Sequence, residues 1–443
     1  MKKLWKKGLV ASLFLMFISF AFAPATEIIK SSSDENGEIY MISNPYTLPP
    51  PLTVDIPLEE AIFRRMSIRE FTEEPITDEE LSTILWAACG YREDGKRTVS
   101  DINNTEAAVI YVLKEDGVYK YDALNHSLVF YKEGDYRDIV GWQYKAPIQL
   151  GLCWNTDKAD ANYGSAELGQ IGQNIYLMAN ALNLGTVITS QTPDPAIEPV
   201  GLPPNEEGMG VMPLGHPEHP YNFVYRPMWI SPLPRIKVSD ISLTTVLEKR
   251  NETILWEESE LTRQEINQLL WASYGYSYYL DKSQQGKNPI ARHRTVPSAH
   301  GYYPLRIYAV TKSGIYRYIH GLLSYDLWGL PVTTFLLKIV NGDKRDEVAQ
   351  ASQSFVASAP FIIISVLDIQ KTIQWDDLSK EELRWLWYYE AGASAHNILL
   401  EATACGLIGN IIPINDKGSI CSLIGLDENK FDPLFVIPVG REA

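Results

Sequence analysis

The chain has 443 residues, a formal net charge of −16 and an isoelectric point near 5.0. Such an acidic balance excludes general nucleic-acid binding, which requires a basic face. The length allows two domains, each with its own hydrophobic core. The four cysteines show no C-x-x-C spacing. Because three of them lie in apolar stretches, this pattern favours packed core thiols over a disulfide framework or a metal site.

Residues 1–25 are typical of a secretory signal peptide. Four lysines precede the apolar run Gly8–Ala23, and Ala23-Pro24-Ala25 places small residues on both sides of a cleavage position. This pattern predicts an exported protein that is cleaved after Ala25. The alternative is an uncleaved membrane tether, because residues 8–23 approach the length of a bilayer span. Residues 26–53 follow as a polar and then proline-rich arm.

The rest of the sequence occurs twice in the same order. The matched segments are Leu81–Tyr91 with Ile266–Tyr276, Arg97-Thr98-Val99 with Arg294-Thr295-Val296, Ala146-Pro147 with Ala359-Pro360, Asn174-Ile175 with Asn397-Ile398, and Pro213-Leu214-Gly215 with Pro438-Val439-Gly440. The preserved order predicts a duplicated domain, with copy one at residues 54–226 and copy two at residues 243–443. A proline-rich linker, residues 227–242, is expected between them.

Both copies are predicted to mix helices and strands. The predicted helices are a segment ending at Ser67, Asp78–Cys89 with Thr77 as N-cap and Glu80 as its capping partner, Ala166–Leu182, a segment before Asn251, Arg263–Ser273 and Leu383–Ala404. The predicted strands are Val109–Leu113, Val118–Tyr121, Ile148–Cys153, Thr186–Thr189, Ile307–Val310, Ile315–Tyr318 and Phe361–Val366. The tight turn at Asp116-Gly117 indicates an α+β fold with a mixed sheet rather than a purely parallel one.

The segment Arg64–Phe71 concentrates groups that attract an anion. Arg65, Ser67 and Arg69 supply two guanidinium forks and a hydroxyl, which suit a phosphate. The segment falls near the C-terminal end of a predicted helix, where the helix dipole disfavours an anion, so the arginines would have to supply the attraction. A solvated basic helix end would explain the segment if it stood alone. The duplication favours a binding site.

Together these motifs resemble the nitroreductase family, and within it the SagB-type (thiazole/oxazole) dehydrogenase branch most closely. The order is R-R-x-S-x-R-x-F, P-I, L-x-x-L-x-W-A, R-T-V-P-S-A and P-x-G, and it covers both copies. The resemblance implies an α+β flavoprotein that binds FMN at a homodimer interface. In this family one subunit grips the phosphate and its partner lends a loop to the flavin ring.

The two copies match the family unevenly. Copy one retains the phosphate motif at Arg65, Ser67 and Arg69, but Ser100-Asp101-Ile102 replaces the ring loop. Copy two retains the ring loop at Pro297, Ser298, Ala299 and His300, but its phosphate motif is Arg250-Asn251-Glu252-Thr253-Ile254. The carboxylate of Glu252 at the serine position would repel a phosphate. We therefore expect an intrachain pseudo-dimer with one FMN site made from the two intact halves, and a monomer in solution.

Other residues follow from the resemblance alone. Thr189 and Ser190 would lie near the flavin nitrogen N5, where the family often has glycine instead of Ser190. His300 is either a proton donor or a stacking or surface histidine. His216 and His219 lack further clustered ligands, so no metal is expected.

The resemblance implies an FMN-dependent oxidoreductase. Its substrate would be a small molecule, such as a nitro or quinone compound, or an azoline-like heterocycle in a peptide. The alternative is an exported, non-catalytic binding or scaffold protein. The substrate pocket is expected in the variable segments Asp122–Tyr144 and His320–Gln353.

Overall fold

A computed structural model describes residues 31–33, 39–41, 45–102, 105–141, 144–189, 197–219, 223–224, 231–277, 279–280, 294–320, 334–372 and 379–443. The chain divides into two compact units, Met1–Asn44 and Pro45–Ala443. In the first unit, β1 (Ser31–Ser33) pairs antiparallel with β2 (Ile39–Met41). The second unit contains both copies. The expected signal peptide, residues 1–25, and Ser190 lie outside the described residues.

Within the described residues, copy one and the end of the preceding arm build a seven-stranded sheet with three α-helices. Its elements are β3 (Tyr46–Thr47), α1 (Leu58–Arg64), α2 (Asp78–Cys89), β4 (Ala108–Lys114), β5 (Gly117–Asp122), β6 (Ser127–Glu133), β7 (Ile148–Asn155), α3 (Ala161–Ala181), β8 (Gly185–Thr186) and β9 (Glu206–Gly215). The strand order is β3-β6-β5-β4-β7-β9-β8.

Copy two repeats this plan. After β10 (Phe223–Val224), its elements are α4 (Leu243–Lys249), α5 (Arg263–Tyr274), β11 (Tyr279–Leu280), β12 (Leu305–Thr311), β13 (Gly314–His320), β14 (Thr334–Asn341), α6 (Arg345–Gln350), β15 (Phe361–Asp368), α7 (Arg384–Ala404), β16 (Ile408–Gly409), β17 (Ile412–Pro413), α8 (Lys417–Ile424) and β18 (Phe431–Gly440). The sheet order is β14-β13-β12-β15-β18-β16, with β17 also on β18, while β10 pairs with β11.

The two sheets share one topology. The order β6-β5-β4-β7-β9-β8 in copy one corresponds strand for strand to β14-β13-β12-β15-β18-β16 in copy two. Copy one adds β3 at its edge, and copy two adds β17. The duplication predicted from the sequence is therefore confirmed in the fold, which is α+β in both copies.

The strand pairing corrects one prediction. Every strand pairing among the described residues is antiparallel, so the sheets are not mixed. Lys114 pairs with Gly117 and Thr311 with Gly314, which leaves turns of only two residues between β4 and β5 and between β12 and β13. Such short turns can join only antiparallel strands.

The predicted helices are largely confirmed. Helix α2 begins at the predicted capping box of Thr77 and Glu80, and α5 begins at the matching box of Thr262 and Glu265. The first helix is shorter than predicted, because α1 ends at Arg64 rather than Ser67. Beyond it, tertiary acceptors replace the helical ones: the Met66 N–H donates to Asn180 Oδ1 at 3.1 Å, and the Ile68 N–H donates to the Thr186 carbonyl at 2.9 Å.

The long helices α3 and α7 cross at the centre of the second unit and join the copies. A Cβ atom on Gly169 would lie 2.0 Å from the Tyr389 carbonyl oxygen, and a Cβ atom on Gly392 would lie 2.0 Å from the Ala166 carbonyl oxygen. Only glycine allows the two backbones to approach so closely. Since Gly169 and Gly392 occupy equivalent positions in the copies, the crossing has approximate two-fold symmetry.

Polar side chains complete this crossing. Gln173 Nε2 donates to Asn397 Oδ1 at 2.9 Å, and His396 Nε2 lies 2.8 Å from Asn174 Oδ1. All four residues are buried, and these hydrogen bonds make them polar groups of the interface between the copies. Burial lowers the pKa of His396 well below its usual range, so this histidine is neutral. Within the described residues, no helix combines the length and apolarity that a membrane crossing needs.

Candidate functional site

The phosphate-type motif of copy one, Arg65, Ser67 and Arg69, lies on extended chain directly after helix α1. Arg65 is the C-cap residue of α1 and is only 2% exposed. Its backbone N–H bonds the Ile62 carbonyl at 3.3 Å. The following residues run beside β8 through the bond from the Ile68 N–H to the Thr186 carbonyl. This path places the Ser67 side chain beside Tyr176 of helix α3.

Tyr176 on α3 connects three parts of this region. Its hydroxyl accepts the Ile188 N–H at 2.8 Å and lies 3.1 Å from Ser67 Oγ. The Arg65 guanidinium carbon lies 5.1 Å from the centre of the Tyr176 ring, a cation–π distance. Because the tyrosine oxygen already accepts one hydrogen bond, it can donate its own hydrogen to Ser67, which leaves the serine hydrogen for another acceptor.

Arg65 reaches across to copy two. Its Nε and Nη2 atoms donate to the carbonyl oxygen of Arg294 at 3.3 and 3.1 Å. Arg294 opens the intact R-T-V-P-S-A segment, so the two halves that the sequence predicted to combine do meet. Arg65 Nη1 is buried and has no hydrogen-bond partner among the described residues. A buried guanidinium with an unused donor fits an anionic ligand.

Residues Pro297–His300 of copy two, which the resemblance assigns to the flavin ring, are called the ring-type loop. Hydrogen bonds within copy two hold this loop in place. Ser298 Oγ donates to Glu390 Oε2 of α7 at 2.5 Å, and the Tyr303 N–H donates to Ser298 Oγ at 2.9 Å. Residues Ala299–Gly301 form a single 3-10 turn, in which His300 and Gly301 have positive φ values of 49° and 72°. Pro297 is buried, Ser298 and Ala299 are half-buried, and His300 is exposed.

Three tyrosines surround the Arg294 guanidinium. Its central carbon lies 4.9 Å from the Tyr274 ring centre, 4.9 Å from that of Tyr276 and 4.5 Å from that of Tyr303. Arg294 Nη1 also donates to the Tyr274 carbonyl at 3.2 Å. These contacts fix the start of the loop, and so they fix the carbonyl that Arg65 binds.

The remaining expected site residues differ in how far the structure describes them. Arg69 is exposed, and its Nη1 donates to the Ser67 carbonyl at 3.3 Å, which keeps its charge beside the serine. Thr189 exchanges backbone hydrogen bonds with Val211, and its Oγ1 donates to the Val211 carbonyl at 2.7 Å. Ser190 lies outside the described residues, and no hydrogen bond among the described residues joins Thr189 to the ring-type loop.

A second, equivalent interface joins the degraded phosphate motif of copy two to the degraded ring loop of copy one. The side chains around its arginine differ from those around Arg65. Arg250, equivalent to Arg65, donates to the carbonyl oxygens of Thr98, Arg97 and Val99 at 3.3, 3.2 and 2.9 Å. Its Nη1 is bound by Glu252 Oε1 at 2.7 Å. Each guanidinium nitrogen of Arg250 therefore already has an acceptor.

Further ion pairs fill this second interface. Ser100 Oγ donates to Glu252 Oε1 at 2.6 Å. Arg97 forms ion pairs with Asp101 and with Glu167, the latter at 2.8 Å. A cavity of about 240 Å³ remains, lined by Tyr91, Gly95, Lys96, Arg97, Val99, Asp101, Glu106, Arg250, Asn251 and Glu252. Its three cationic and three acidic side chains balance, so the cavity offers a phosphate no net attraction.

Among the described residues, one group of three side chains is of the types and spacing that could hold a metal ion. Glu70, Glu218 and His219 bring their ligand atoms within 4.8 Å of one another, and all three residues are exposed. His216 is not part of this group. Exposed groups of this kind are common on protein surfaces and do not by themselves define a metal centre.

Sequence reasoning missed two residues of the intact interface, Tyr176 and Glu390. Tyr176 corresponds to Leu399 in copy two, so the difference between the copies at this helix position was the available signal. Glu390 corresponds to Glu167, and an acid at the same place in two apolar helices also marked the position. Neither residue belongs to the motifs that carried the resemblance.

The fold and the contact from Arg65 to Arg294 define a pseudo-dimeric α+β protein whose candidate sites lie between its copies. A family model described as the nitroreductase family matches residues 62–216 and 256–441. A protein named a nitroreductase in Methanocaldococcus jannaschii is 33% identical over 186 residues, covering 36% of this chain and 91% of that relative. The chain therefore belongs to the nitroreductase family, and both copies carry its fold.

One of the matched solved structures agrees with this fold over most of the chain. A structure described as a nitroreductase from Anabaena variabilis superposes with a TM-score of 0.62 at 15% identity, covering 89% of this chain and 94% of that chain. At this identity the likeness concerns the fold alone. A Desulfovibrio desulfuricans protein, described as a nitroreductase in complex with FMN, is 21% identical with a TM-score of 0.29, covering 39% of this chain and 93% of that one.

Proposed function

We propose that this chain is an FMN-dependent oxidoreductase with one flavin site, formed by Arg65, Ser67 and Arg69 of copy one and Pro297–His300 of copy two. The observation that carries the proposal is the cross-copy contact of Arg65. Two of its donors bind the Arg294 carbonyl, and a third buried donor has no partner among the described residues. Membership in the nitroreductase family supports flavin as the ligand.

The residues of copy one would hold the phosphate. Arg65 supplies a buried positive charge and an unused N–H, and Ser67 supplies a hydroxyl hydrogen, since Tyr176 can serve as its donor. Arg69 adds a second positive charge from the surface. Together they offer an anion both charge and directed hydrogen bonds.

The residues of copy two would meet the flavin ring. Ser298 fixes the loop through Glu390 and Tyr303, so the backbone of Pro297–His300 is the part of the loop that remains for contact with a ligand. Thr189 and Ser190 of copy one are proposed to lie near the flavin nitrogen N5. Bound FMN supplies hydride-transfer chemistry, while the protein supplies binding, orientation and electrostatics.

The second interface supports one site rather than two. Arg250 is as buried as Arg65, 3% against 2% exposed, but its fourth hydrogen bond goes to Glu252. The ring-type segment there carries Ser100 and Asp101 in place of proline and serine. A phosphate would have to displace Glu252, and it would meet a second carboxylate nearby.

Flavin content per chain tests the proposal. We expect one FMN per mature chain from the visible spectrum after reconstitution. Arg65→Met should weaken FMN binding by about 10- to 100-fold, because a charge-assisted hydrogen bond contributes about 1.5–3 kcal/mol. Arg250→Met is the matched control, since it removes an equally buried guanidinium that bonds the equivalent carbonyl, that of Arg97, and it should leave FMN binding unchanged.

Each other outcome has a definite meaning. Two FMN per chain would contradict the single site and show that Glu252 does not exclude a phosphate. Equal losses in the two variants would mean that both arginines act only by holding the copies together. Absence of FMN after reconstitution would favour an exported binding or scaffold protein with the nitroreductase fold.

The wider role is also proposed. The signal-like segment supports export, and the family resemblance supports the SagB-type dehydrogenase branch. The substrate would be a small nitro or quinone compound, or a heterocycle in a peptide. Because the family's two subunits are joined within this chain, we propose a monomer. Light scattering after size exclusion tests this, and a stable homodimer with flavin bridging two chains would contradict it.

A further inference from the structure

Glu390 is a buried carboxyl group that touches the ring-type loop. It is 1% exposed and lies on α7. Its Oε2 accepts the Ser298 hydroxyl at 2.5 Å, and its Oε1 accepts the Tyr274 hydroxyl. Ser298 in turn accepts the Tyr303 N–H at 2.9 Å, and Tyr274 accepts the Leu305 N–H at 3.2 Å. Both ends of the segment from Ser298 to Leu305 are therefore tied to one carboxyl group.

The equivalent acid of copy one is used differently. Glu167 forms an ion pair with Arg97 and accepts the Ala107 N–H at 2.8 Å. Among the described residues, Glu390 has no such ion pair, because Arg294 is stacked within its three tyrosines. The copy with the intact loop thus has a carboxyl group bonded by hydroxyls, whereas the copy with the degraded loop has one neutralised by an arginine.

We propose that Glu390 is a positioning residue, which holds Ser298 and thereby keeps Pro297–His300 in the conformation that binds the flavin. The inference rests on the proposed FMN site. Glu390 acts through Ser298 and is not proposed to react. A carboxyl group suits this task, because it binds two hydroxyls at once with two separate oxygens.

The surroundings of Glu390 make this clamp sensitive to pH. Burial raises the pKa of Glu390 to about 7, although the hydrogen bonds from Ser298 and Tyr274 and the charge of Arg294 oppose the rise. The titratable and charged groups that face it are Tyr274 of α5, Arg294 and Tyr303, while Arg65 and Tyr176 act on Tyr303 rather than on Glu390.

The sign of the pH effect follows from linkage. The clamp uses both Glu390 oxygens as acceptors for hydroxyls, which requires the ionised form. Binding to the clamped loop should therefore favour the ionised form and release a proton, so FMN affinity should rise as pH rises through about 7. The FMN phosphate itself titrates near pH ~6, but it does so equally in every variant.

The first test needs no flavin. Hydrogen exchange is followed at the Tyr303 and Gly301 amides of the full chain. Glu390→Leu and Ser298→Ala should each raise the Tyr303 exchange rate by about tenfold, since each removes one link of the same chain of hydrogen bonds. Glu167→Leu removes the equivalent acid of copy one and should leave both amides unchanged. An unchanged Tyr303 rate in Glu390→Leu would overturn the clamp.

The second test measures the dissociation constant for FMN between pH 6 and 8. In the wild type, relative to Glu390→Gln, this constant should fall as pH rises, by at most about tenfold per pH unit, which is the limit for one proton. Glu167→Gln should follow the wild type. Parallel profiles for the wild type and Glu390→Gln would refute the pH-sensitive clamp.

The two tests separate the two proposals. If none of the proteins binds FMN, the proposed function fails, and the exchange experiment still decides whether Glu390 holds the loop. If Glu390→Leu does not fold, Glu390→Gln and Ser298→Ala still decide the outcome through the pH profile and the Tyr303 amide. An exchange rate in Ser298→Ala equal to that of the wild type would also contradict the clamp.

Discussion

Two interfaces between the copies place an arginine against a loop of the other copy. Arg65 bonds the Arg294 carbonyl, and Arg250 bonds the Arg97 carbonyl, which is the equivalent atom. Both arginines are buried, and both follow the end of a short helix. The contact between the arginine and the backbone of the other copy is therefore the same at both interfaces. It is kept even at the second interface, whose side chains do not suit a phosphate.

The difference lies in the side chains around each arginine. Beside Arg65 stand the Ser67 hydroxyl, the Tyr176 ring and an unused guanidinium donor. Beside Arg250, Glu252 occupies the corresponding donor. The arginine alone is thus no evidence of phosphate binding, because it also joins the copies. Whether a phosphate can bind is decided by the neighbouring residues, which either leave the arginine charge available, as Ser67 and Tyr176 do, or neutralise it, as Glu252 does.

The largest expected effect comes from placing the copy-two residue in copy one. Ser67→Glu should let the new carboxylate bind Arg65, as Glu252 binds Arg250, and should repel a phosphate. We expect FMN binding to weaken at least about 100-fold, equivalent to about 2.7 kcal/mol, as measured by flavin fluorescence titration.

Ser67→Ala is the control for this change. It removes only one neutral hydroxyl, so a loss of about tenfold or less is expected. If Ser67→Glu binds FMN as well as Ser67→Ala does, the charge at this position does not distinguish the two interfaces.

The crossing of α3 and α7 should respond equally from both sides. Gly169→Ala and Gly392→Ala each place a Cβ atom 2.0 Å from a backbone oxygen of the other helix. Each should lower the free energy of unfolding by about 1–3 kcal/mol, the usual cost of overpacking. Urea denaturation measures both, and Gly418→Ala in α8 serves as a comparison, because the nearest atom to its Cβ would be a side-chain oxygen of Glu428, at 3.2 Å. Clearly unequal losses would show that the pseudo-symmetry does not extend to the energetics of the crossing.

Much of this architecture could be predicted from the sequence. Local signals were sufficient for α2, because Thr77 and Glu80 form a capping box that needs no tertiary contact. The pairing of halves was also predictable, because the two copies had lost complementary motifs. The family resemblance thus predicted that the two halves meet, and the contact between Arg65 and Arg294 shows where they do.

Other features depend on tertiary contacts that no local pattern encodes. Helix α1 stops early because Asn180 and Thr186 take the next backbone N–H groups. The roles of Tyr176 and Glu390 required knowing which residues of the long helices face the loops. The second interface was expected to bind no flavin, but its filling by Glu252 and Ser100 became visible only in three dimensions.

A smaller effect is expected from the tyrosine that copy two lacks. Tyr176→Phe keeps the ring under Arg65 but removes the hydroxyl that joins Ser67 and the Ile188 N–H. FMN binding should weaken by about fivefold, equivalent to about 1 kcal/mol. Tyr389→Phe is the control, because its buried hydroxyl has no hydrogen-bond partner in the described part of the chain. Equal binding by Tyr176→Phe and the wild type would mean that Ser67 needs no support from α3.

The smallest expected change is the partial repair of the second interface. Glu252→Ser restores the serine and releases Arg250 Nη1, but the adjacent segment still has Ser100 and Asp101, and Ile254 stands where copy one has Arg69. We therefore expect the flavin content to stay at one per chain. The free energy of unfolding should fall by about 1 kcal/mol, since a half-exposed partner of a buried arginine is lost. Equilibrium dialysis with FMN and urea denaturation measure the two quantities. A second bound FMN of similar affinity would show that a phosphate grip suffices without the ring loop, and the role assigned to Pro297–His300 would then have to be withdrawn.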